Sequence, residues 1–231
     1  IPNNVKPNHI IPNNIIPNDI IQNNGIPNKI IPNNIINKHI LMNNNCIISA
    51  ENIGHKINEN KLFHNLSFTL DKGDALQIRG KNGSGKSTLL RIIMGITNPT
   101  KGNIKSFFSN EVCYLGHKNA LKGYLTLEDN INLMQLNRHE LLDKYLNNLN
   151  LKKYLDVNVS SLSFGQQKKL ALLRVFLNNS NLIVLDEPYV GLDDDAHNKL
   201  TEFLNSELNI KKSLIFTSHI SCQIKSSFLD I

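Results

Sequence analysis

The chain has 231 residues with 40% hydrophobic content, which is enough for one sizeable globular domain or for a domain with a tail. Its formal net charge is +6, yet its lysines form no block of like charges, so an ordinary solvated surface explains the charge better than a nucleic-acid-binding role. Three widely separated cysteines indicate reduced thiols rather than a metal site, and no run of about 18 apolar residues predicts a transmembrane helix.

The first 45 residues repeat a ten-residue unit that resembles IPNNIIPNDI. Proline recurs throughout the repeat and removes hydrogen-bond donors that helices and sheets need. Low-complexity sequence rich in Asn, Ile and Pro is typical of disordered segments, and a regular β-helix-like array is the alternative. We expect residues 1–45 to take no part in the chemistry, Met42 to be the natural start, and one domain to occupy residues 46–231.

The composition changes at about residue 46. Residues 46–53 and 62–70 alternate apolar and polar side chains as half-buried strands do. Residues 75–80 predict a short strand that leads into a glycine-rich loop. Residues 87–95 then predict a helix with Gly95 at its C-terminal end.

The rest of the chain alternates predicted strands and helices. The predicted elements are a strand at 111–116, leucines at helical spacing over 127–155, a helix at 162–179, a strand at 181–188, a helix at 195–208 and a strand at 213–219. Several of these strands are continuous apolar runs, which indicates burial on both faces. The pattern therefore predicts an α/β fold with a parallel sheet covered by helices on both sides.

The strongest motif is GKNGSGKST at residues 80–88, which fits the pattern G-x-x-x-x-G-K-[ST]. Its glycines let backbone N–H groups surround phosphate oxygens, and the following helix adds the positive end of its dipole. In this pattern Lys86 reaches the β- and γ-phosphates, and Ser87 offers its hydroxyl to Mg²⁺. The candidate ATP-binding residues are Gly80, Lys81, Asn82, Gly83, Ser84, Gly85, Lys86, Ser87 and Thr88.

An acidic pair follows a buried strand in the segment LIVLDEP. Asp186 and Glu187 stand at the C-terminal end of this strand, where α/β sheets bind ligands. We predict that Asp186 is a second ligand of Mg²⁺ and that Glu187 polarises the attacking water. Alone, such a pair would indicate a surface turn, but the phosphate loop makes a functional role the better interpretation.

A third motif, LSFGQQKK at residues 162–169, allows two interpretations. Ser163 and Gln166 form an ordinary capping box at the start of a helix. Ser163 and Gly165 also stand at a helix N-terminus, which can bind an anion. A second anion site is redundant within one molecule unless it serves another nucleotide.

The phosphate loop, LSFGQ and LIVLDEP, in this order, resemble the motifs of the nucleotide-binding subunit of ATP-binding cassette (ABC) transporters, and the resemblance extends from Cys46 to the C-terminus. The resemblance implies a P-loop ATPase cassette with a mainly parallel sheet, an antiparallel β subdomain and a helical subdomain at about 120–178. It also implies that two copies pair head to tail. Ser163, Gly165 and Gln166 of each copy would then reach the ATP that the other copy holds.

The same resemblance implies roles for further residues. Asp193 lies in YVGLD, which is similar to the family's D-loop and would face the partner copy. His219 closes LIFTSH and matches the histidine that senses the γ-phosphate. The expected catalytic residues are therefore Glu187, His219 and Lys86, and the expected cofactor is Mg²⁺ with ATP.

Two departures from the family pattern affect the site. His117 stands where the family usually has a glutamine that links Mg²⁺ to the membrane partner, and a neutral imidazole could bridge to the metal or its water. The aromatic residue that stacks on adenine is missing from GHKINENK, which precedes LFHNLSF. We therefore expect weaker adenine contacts, or contacts from His55 or Ile57.

The His117 segment, LGH-x-x-x-LK-x-x-LT-x-x-DN, and LSFGQQKK together resemble the haem-exporter ATPases of bacterial cytochrome c maturation. This resemblance implies an ATPase that powers haem export or delivery for c-type cytochromes. It implies an integral-membrane permease as partner, a peripheral place on the cytoplasmic face of the inner membrane, and no nucleic-acid partner. No residue pair resembles a set of haem ligands, so we expect haem not to contact this subunit.

Other functions fit parts of the sequence. An exporter ATPase for a drug or a lipid would use the same nucleotide chemistry. A soluble, non-transport ATPase of the superfamily is less favoured, because the interval 88–181 is too short for the coiled coil of DNA-repair versions and ribosome-acting versions usually carry two cassettes. Glu187 argues against a module that binds ATP without hydrolysing it.

Overall fold

The computed structural model describes residues 45–108 and 112–231. Residues 1–44, and with them the predictions about the repeat and about Met42, lie outside the described residues. In chain order the elements are β1 (Cys46–Ile57), β2 (Asn60–Asp71), β3 (Ala75–Arg79), α1 (Lys86–Ile93), β4 (Lys101–Ser106), β5 (Val112–Leu115), α2 (Leu127–Leu133), α3 (Leu142–Asn148), α4 (Phe164–Phe176), β6 (Leu182–Asp186), α5 (Asp194–Asn209), β7 (Ser213–Thr217) and β8 (Ser227–Asp230). Two short 3-10 turns, Lys152–Tyr154 and Val159–Ser161, precede α4.

The strands form two sheets. Five parallel strands have the order β5-β6-β7-β3-β8, and three antiparallel strands have the order β2-β1-β4. The predicted α/β class with a mainly parallel sheet and an antiparallel β subdomain is therefore confirmed. The region predicted as helical at about 120–178 holds α2, α3 and α4.

The central strands explain why their sequences are continuously apolar. Every residue of β6 and β7 is buried. Leu182 and Val184 of β6 pack with α1 and the antiparallel sheet, whereas Ile183 and Leu185 pack with α4 and α5 on the other face. Because successive side chains of a strand point to opposite faces, a sheet covered on both sides needs apolar residues at every position.

The structure differs from the sequence prediction in three elements. Strands β4 and β8 were not predicted, because each carries mostly exposed side chains at the edge of a sheet. The leucine-rich stretch 127–155 contains two short helices and a 3-10 turn rather than one long helix. Gln135 and Asn150 have φ values of 58° and 56°, and a residue in this left-handed region ends each helix.

The topology brings three strand ends together. Strands β6, β7 and β3 are neighbours and all run in the same direction, with Asp186 opposite Thr217 and Thr217 opposite Ile78. The segments that leave their carboxyl ends are the acidic pair, the segment to His219 and the phosphate loop. Residues far apart in sequence therefore meet at one edge of the sheet, which is where parallel sheets bind ligands.

Candidate active site

The phosphate loop curls tightly between β3 and α1. Gly83 and Gly85 have φ values of 84° and 101°, a region that favours glycine. A Cβ atom on Gly85 would lie 3.0 Å from Cδ1 of Phe63 and 3.1 Å from Cβ of Leu62, so the loop packs directly on β2. No side chain caps α1, and the first backbone N–H groups of this helix remain available to an anion.

Lys86 is held across the loop. Its Nζ donates to the carbonyl oxygens of Gly80, at 2.9 Å, and Lys81, at 3.3 Å. The same atom lies 2.8 Å from Nε2 of His219 and 4.0 Å from Oε1 of Glu187. Only 8% of the lysine is exposed, so its charge acts in a poorly solvated environment, where it interacts strongly with phosphate.

Asp186 is bound by two hydroxyl groups. Ser87 donates to Oδ2 at 2.6 Å, and Thr217 donates to Oδ1 at 2.8 Å. Thr217 also accepts a hydrogen bond from the backbone N–H of Glu187 at 2.9 Å. The Ser87 hydroxyl and the Asp186 carboxylate are hard oxygen donors in direct contact, and this pair fits Mg²⁺.

Glu187 is a buried carboxylate in a strained backbone conformation. Its φ is 50°, which is uncommon for a residue other than glycine and often marks a functional site. Oε2 accepts a hydrogen bond from the backbone N–H of His219 at 3.2 Å. Oε1 is buried and has no hydrogen-bond partner among the described residues, although Nε2 of His219 lies 3.4 Å away. A buried acceptor of this kind suits a carboxylate that orients a water molecule.

Lys86, Ser87, Asp186 and Glu187 line one cavity of about 390 Å³. Its lining residues are Ile57, Leu62, Asn82, Gly83, Gly85, Lys86, Ser87, Thr88, His117, Asp186 and Glu187. His117 therefore lines the same cavity as Ser87 and Asp186. Of the two residues proposed for adenine, Ile57 lines this cavity, whereas His55 lines another cavity and stacks on Phe63.

The LSFGQQKK motif forms the turn that starts α4. Ser163 accepts a hydrogen bond from the N–H of Gln166, and the Gln166 side chain accepts one from the N–H of Ser163. The predicted capping box is therefore present. In the part of the chain that the structure describes, Ser163, Gly165 and Gln166 are not among the residues that line the cavity around Lys86.

The D-loop contacts this turn within the same chain. Asp193 caps α5 by accepting from the N–H of Ala196 at 2.9 Å, and its other oxygen accepts from Lys169 at 2.6 Å. The hydrogen bond from Lys169 lowers the pKa of the Asp193 carboxyl. A neighbouring lysine on α4, Lys168, is buried, and desolvation lowers its pKa. Among the described residues, 59% of the Asp193 side chain stays accessible to a partner.

Sequence reasoning missed some of the residues that organise the site. Thr217 joins Asp186 to Glu187, and a polar residue at the end of a buried strand was the available signal. Lys169 pairs with Asp193, and Gly165 touches Gly191. These partners lie 24 and 26 residues apart, and no local pattern pairs them.

A phosphate loop, an Asp–Glu pair and a histidine that meet at the carboxyl edge of a parallel sheet define a P-loop nucleoside triphosphatase. The family model described as ABC transporter matches residues 63–190. The chain therefore belongs to the ABC transporter family, as its motifs predicted. Within residues 45–108 and 112–231, no helix has both the length and the hydropathy that are needed to cross a bilayer.

Curated relatives agree with this family. The chain is 32% identical over 189 residues to the cytochrome c biogenesis ATP-binding export protein CcmA of Nitrosococcus oceani, covering 77% of this chain and 88% of that protein. For the protein of the same name from Tatumella citrea the identity is 33% over 184 residues, covering 75% and 88%.

Two solved structures show the same fold. An ATP-binding subunit of an ABC transporter superposes with a TM-score of 0.68 at 24% identity, covering 80% of this chain and 85% of that one. A dimeric structure of MJ0796, a bacterial ABC transporter cassette, gives a TM-score of 0.63 at 23% identity and covers 75% and 88%.

Proposed function

We propose that this chain is the ATP-hydrolysing subunit of an ABC exporter that serves cytochrome c biogenesis and powers haem export or delivery. The observation that carries the ATPase assignment is the meeting of four groups at one sheet edge. Lys86 lies within hydrogen-bonding or ion-pair distance of His219 and Glu187, and Asp186 is hydrogen-bonded to Ser87 beside them. The curated relatives named as cytochrome c biogenesis export proteins support the more specific assignment.

Each residue at this edge has one proposed task. The N–H groups of residues 83–88 and Lys86 bind the phosphates, and the low exposure of Lys86 strengthens its attraction for them. Ser87 and Asp186 hold Mg²⁺, which neutralises charge on the phosphate oxygens when it is bound. Glu187 orients the attacking water through Oε1, and His219 lies beside Lys86 to contact the γ-phosphate.

Two copies of the chain complete each site. Ser163, Gly165 and Gln166 of one copy contact the nucleotide held by the phosphate loop of the other, and Asp193 faces the partner. Ser163 is exposed, and among the described residues this turn is not part of the lining of its own chain's cavity, which supports this arrangement. Catalysis then consists mainly of positioning and electrostatic stabilisation of the transferred phosphoryl group.

The coupling to a membrane is indirect in this proposal. An integral-membrane permease binds the cassette pair at the cytoplasmic face of the inner membrane, and closure of the pair drives it. His117, which lines the ATP cavity and is exposed, occupies the position that links the metal to the permease. Mg²⁺ with ATP is the proposed cofactor, and no nucleic acid takes part.

The assignment is tested by purifying the tagged chain from membranes of its own cells and identifying the membrane proteins that accompany it. Recovery of a membrane subunit of cytochrome c maturation is the expected result. Recovery of a different permease would overturn the cytochrome c assignment while leaving the ATPase assignment in place.

A further inference from the structure

The third residue of the LSFGQ turn is a phenylalanine that packs on the D-loop. Phe164 is the first residue of α4, and 56% of it is exposed. A Cβ atom on Gly191 would lie 2.4 Å from both Cδ1 and Cε1 of this ring. Gly191 also has a φ of 82°. The ring therefore rests directly on the backbone of Gly191, a close approach that glycine alone permits.

Two further contacts join the same segments. A Cβ atom on Gly165 would lie 2.6 Å from the carbonyl oxygen of Gly191, so the two backbones touch beside the ring. A little more than one helical turn beyond Gly165 on α4, Lys169 forms its 2.6 Å ion pair with Asp193. The D-loop is thus held against α4 at Gly191 and again at Asp193.

The short segment between Glu187 and Gly191 makes these contacts relevant to hydrolysis. Tyr189 is 1% exposed and hydrogen-bonds to Thr201 of α5 at 3.1 Å, which fixes the middle of the segment. Glu187 at its start has the left-handed φ of 50°. Because a segment this short has few free dihedral angles, the position of Gly191 constrains the backbone of Glu187.

We propose that Phe164 is a positioning residue. Its ring packs on Gly191 and thereby keeps the D-loop and Glu187 in a fixed position relative to the LSFGQ turn. Through this contact, the turn that serves one ATP is coupled to the carboxylate that serves the other. The inference rests on the proposed ATPase function. Phe164 and Gly191 do not line the ATP cavity, so the contact acts on turnover rather than on ATP binding.

The first test replaces Phe164 in the full chain and separates kcat from ATP affinity. Phe164→Ala should lower kcat about five- to tenfold, because the D-loop is no longer held in place. The affinity for ATP should stay within about twofold. Phe164→Tyr keeps the ring and should retain most of kcat. Phe107→Ala removes a second aromatic residue of similar exposure, 50%, from the end of the antiparallel sheet and should leave kcat unchanged.

The second test is a double-mutant cycle with Gly191→Ala, with kcat as the readout. The backbone strain of alanine at this φ is present in both backgrounds and cancels, whereas the clash with the ring exists only when Phe164 is present. Gly191→Ala should therefore reduce kcat more in the wild-type chain than in the Phe164→Ala chain. Circular dichroism of each variant checks that the chain is folded.

The outcomes separate this inference from the proposed function. Additive effects in the cycle, or a Phe164→Ala chain with wild-type kcat, would overturn the inference while the ATPase assignment stands. A wild-type chain that binds ATP and does not hydrolyse it, alone or with its membrane partner, would overturn the proposed function instead.

Discussion

The turn before α1 and the turn before α4 both contain glycine and both lead into a helix, but they are built differently. The turn before α1 has no side-chain cap, and Lys86, Asp186 and Glu187 gather around it from different segments. The turn before α4 uses Ser163 and Gln166 to cap its own helix, and it lies outside the ATP cavity. In the proposed function, the first turn is a phosphate site within one chain, whereas the second acts only on the nucleotide of another copy.

The largest effect is expected from a substitution at the first turn, the one before α1. Lys86→Ala removes the buried ammonium group from the loop and should weaken ATP binding about tenfold or more, because a charged hydrogen bond to phosphate is lost. Hydrolysis should fall to background. Calorimetric titration with ATP and phosphate release measure the two quantities. Lys105→Ala removes an exposed lysine of β4 as a control, and unaltered ATP affinity of the Lys86→Ala chain would contradict the prediction.

A substitution in the second turn, the one before α4, should have a smaller effect, on hydrolysis and not on ATP affinity. Ser163→Ala should reduce hydrolysis about tenfold to a hundredfold, because one hydrogen bond to the partner's phosphate disappears. ATP affinity of the isolated chain should not change, since Ser163 lies outside its cavity.

Loss of the helix cap is a separate effect of this substitution. Thr126→Ala removes the corresponding capping box of α2 and provides the matched control. Both variants should lose about 1 kcal/mol of stability, and only Ser163→Ala should lose hydrolysis. Equal hydrolysis in the two variants would show that Ser163 acts as a cap alone.

The smallest effect concerns the ion pair that joins α4 to the D-loop. The pKa of Asp193 is lowered by Lys169, so the pair stabilises the folded state above the ordinary aspartate value of 3.8 and fades as pH falls below it. Asp193→Asn keeps a capping oxygen and should cost under about 1 kcal/mol at pH 7, because the pair is partly exposed. Urea unfolding of both proteins at pH 7 and pH 3 measures the difference, and a difference that does not shrink at pH 3 would contradict the assignment.

The first turn could be predicted from the sequence, and much of the second could not. The phosphate loop and the strand that ends in Asp186 carry local patterns, and parallel pairing of apolar strands is enough to bring their ends together. The partners of Phe164 and Lys169 are set by how α4 packs beside the D-loop, and no local pattern encodes that contact. Strands β4 and β8 were not predicted for a similar reason. Each lies at a sheet edge and forms by pairing with one strand from elsewhere in the chain, β1 for β4 and β3 for β8.

The central claim is that each ATP is hydrolysed between the phosphate loop of one copy and the LSFGQ turn of another. Lys86→Ala and Ser163→Ala chains with different affinity tags can be produced together, and mixed pairs can be purified through both tags. A mixed pair joins one intact phosphate loop to one intact LSFGQ turn and places both defects in the other site. The account predicts hydrolysis well above that of either variant alone. Mixed pairs no more active than the separate variants would contradict it.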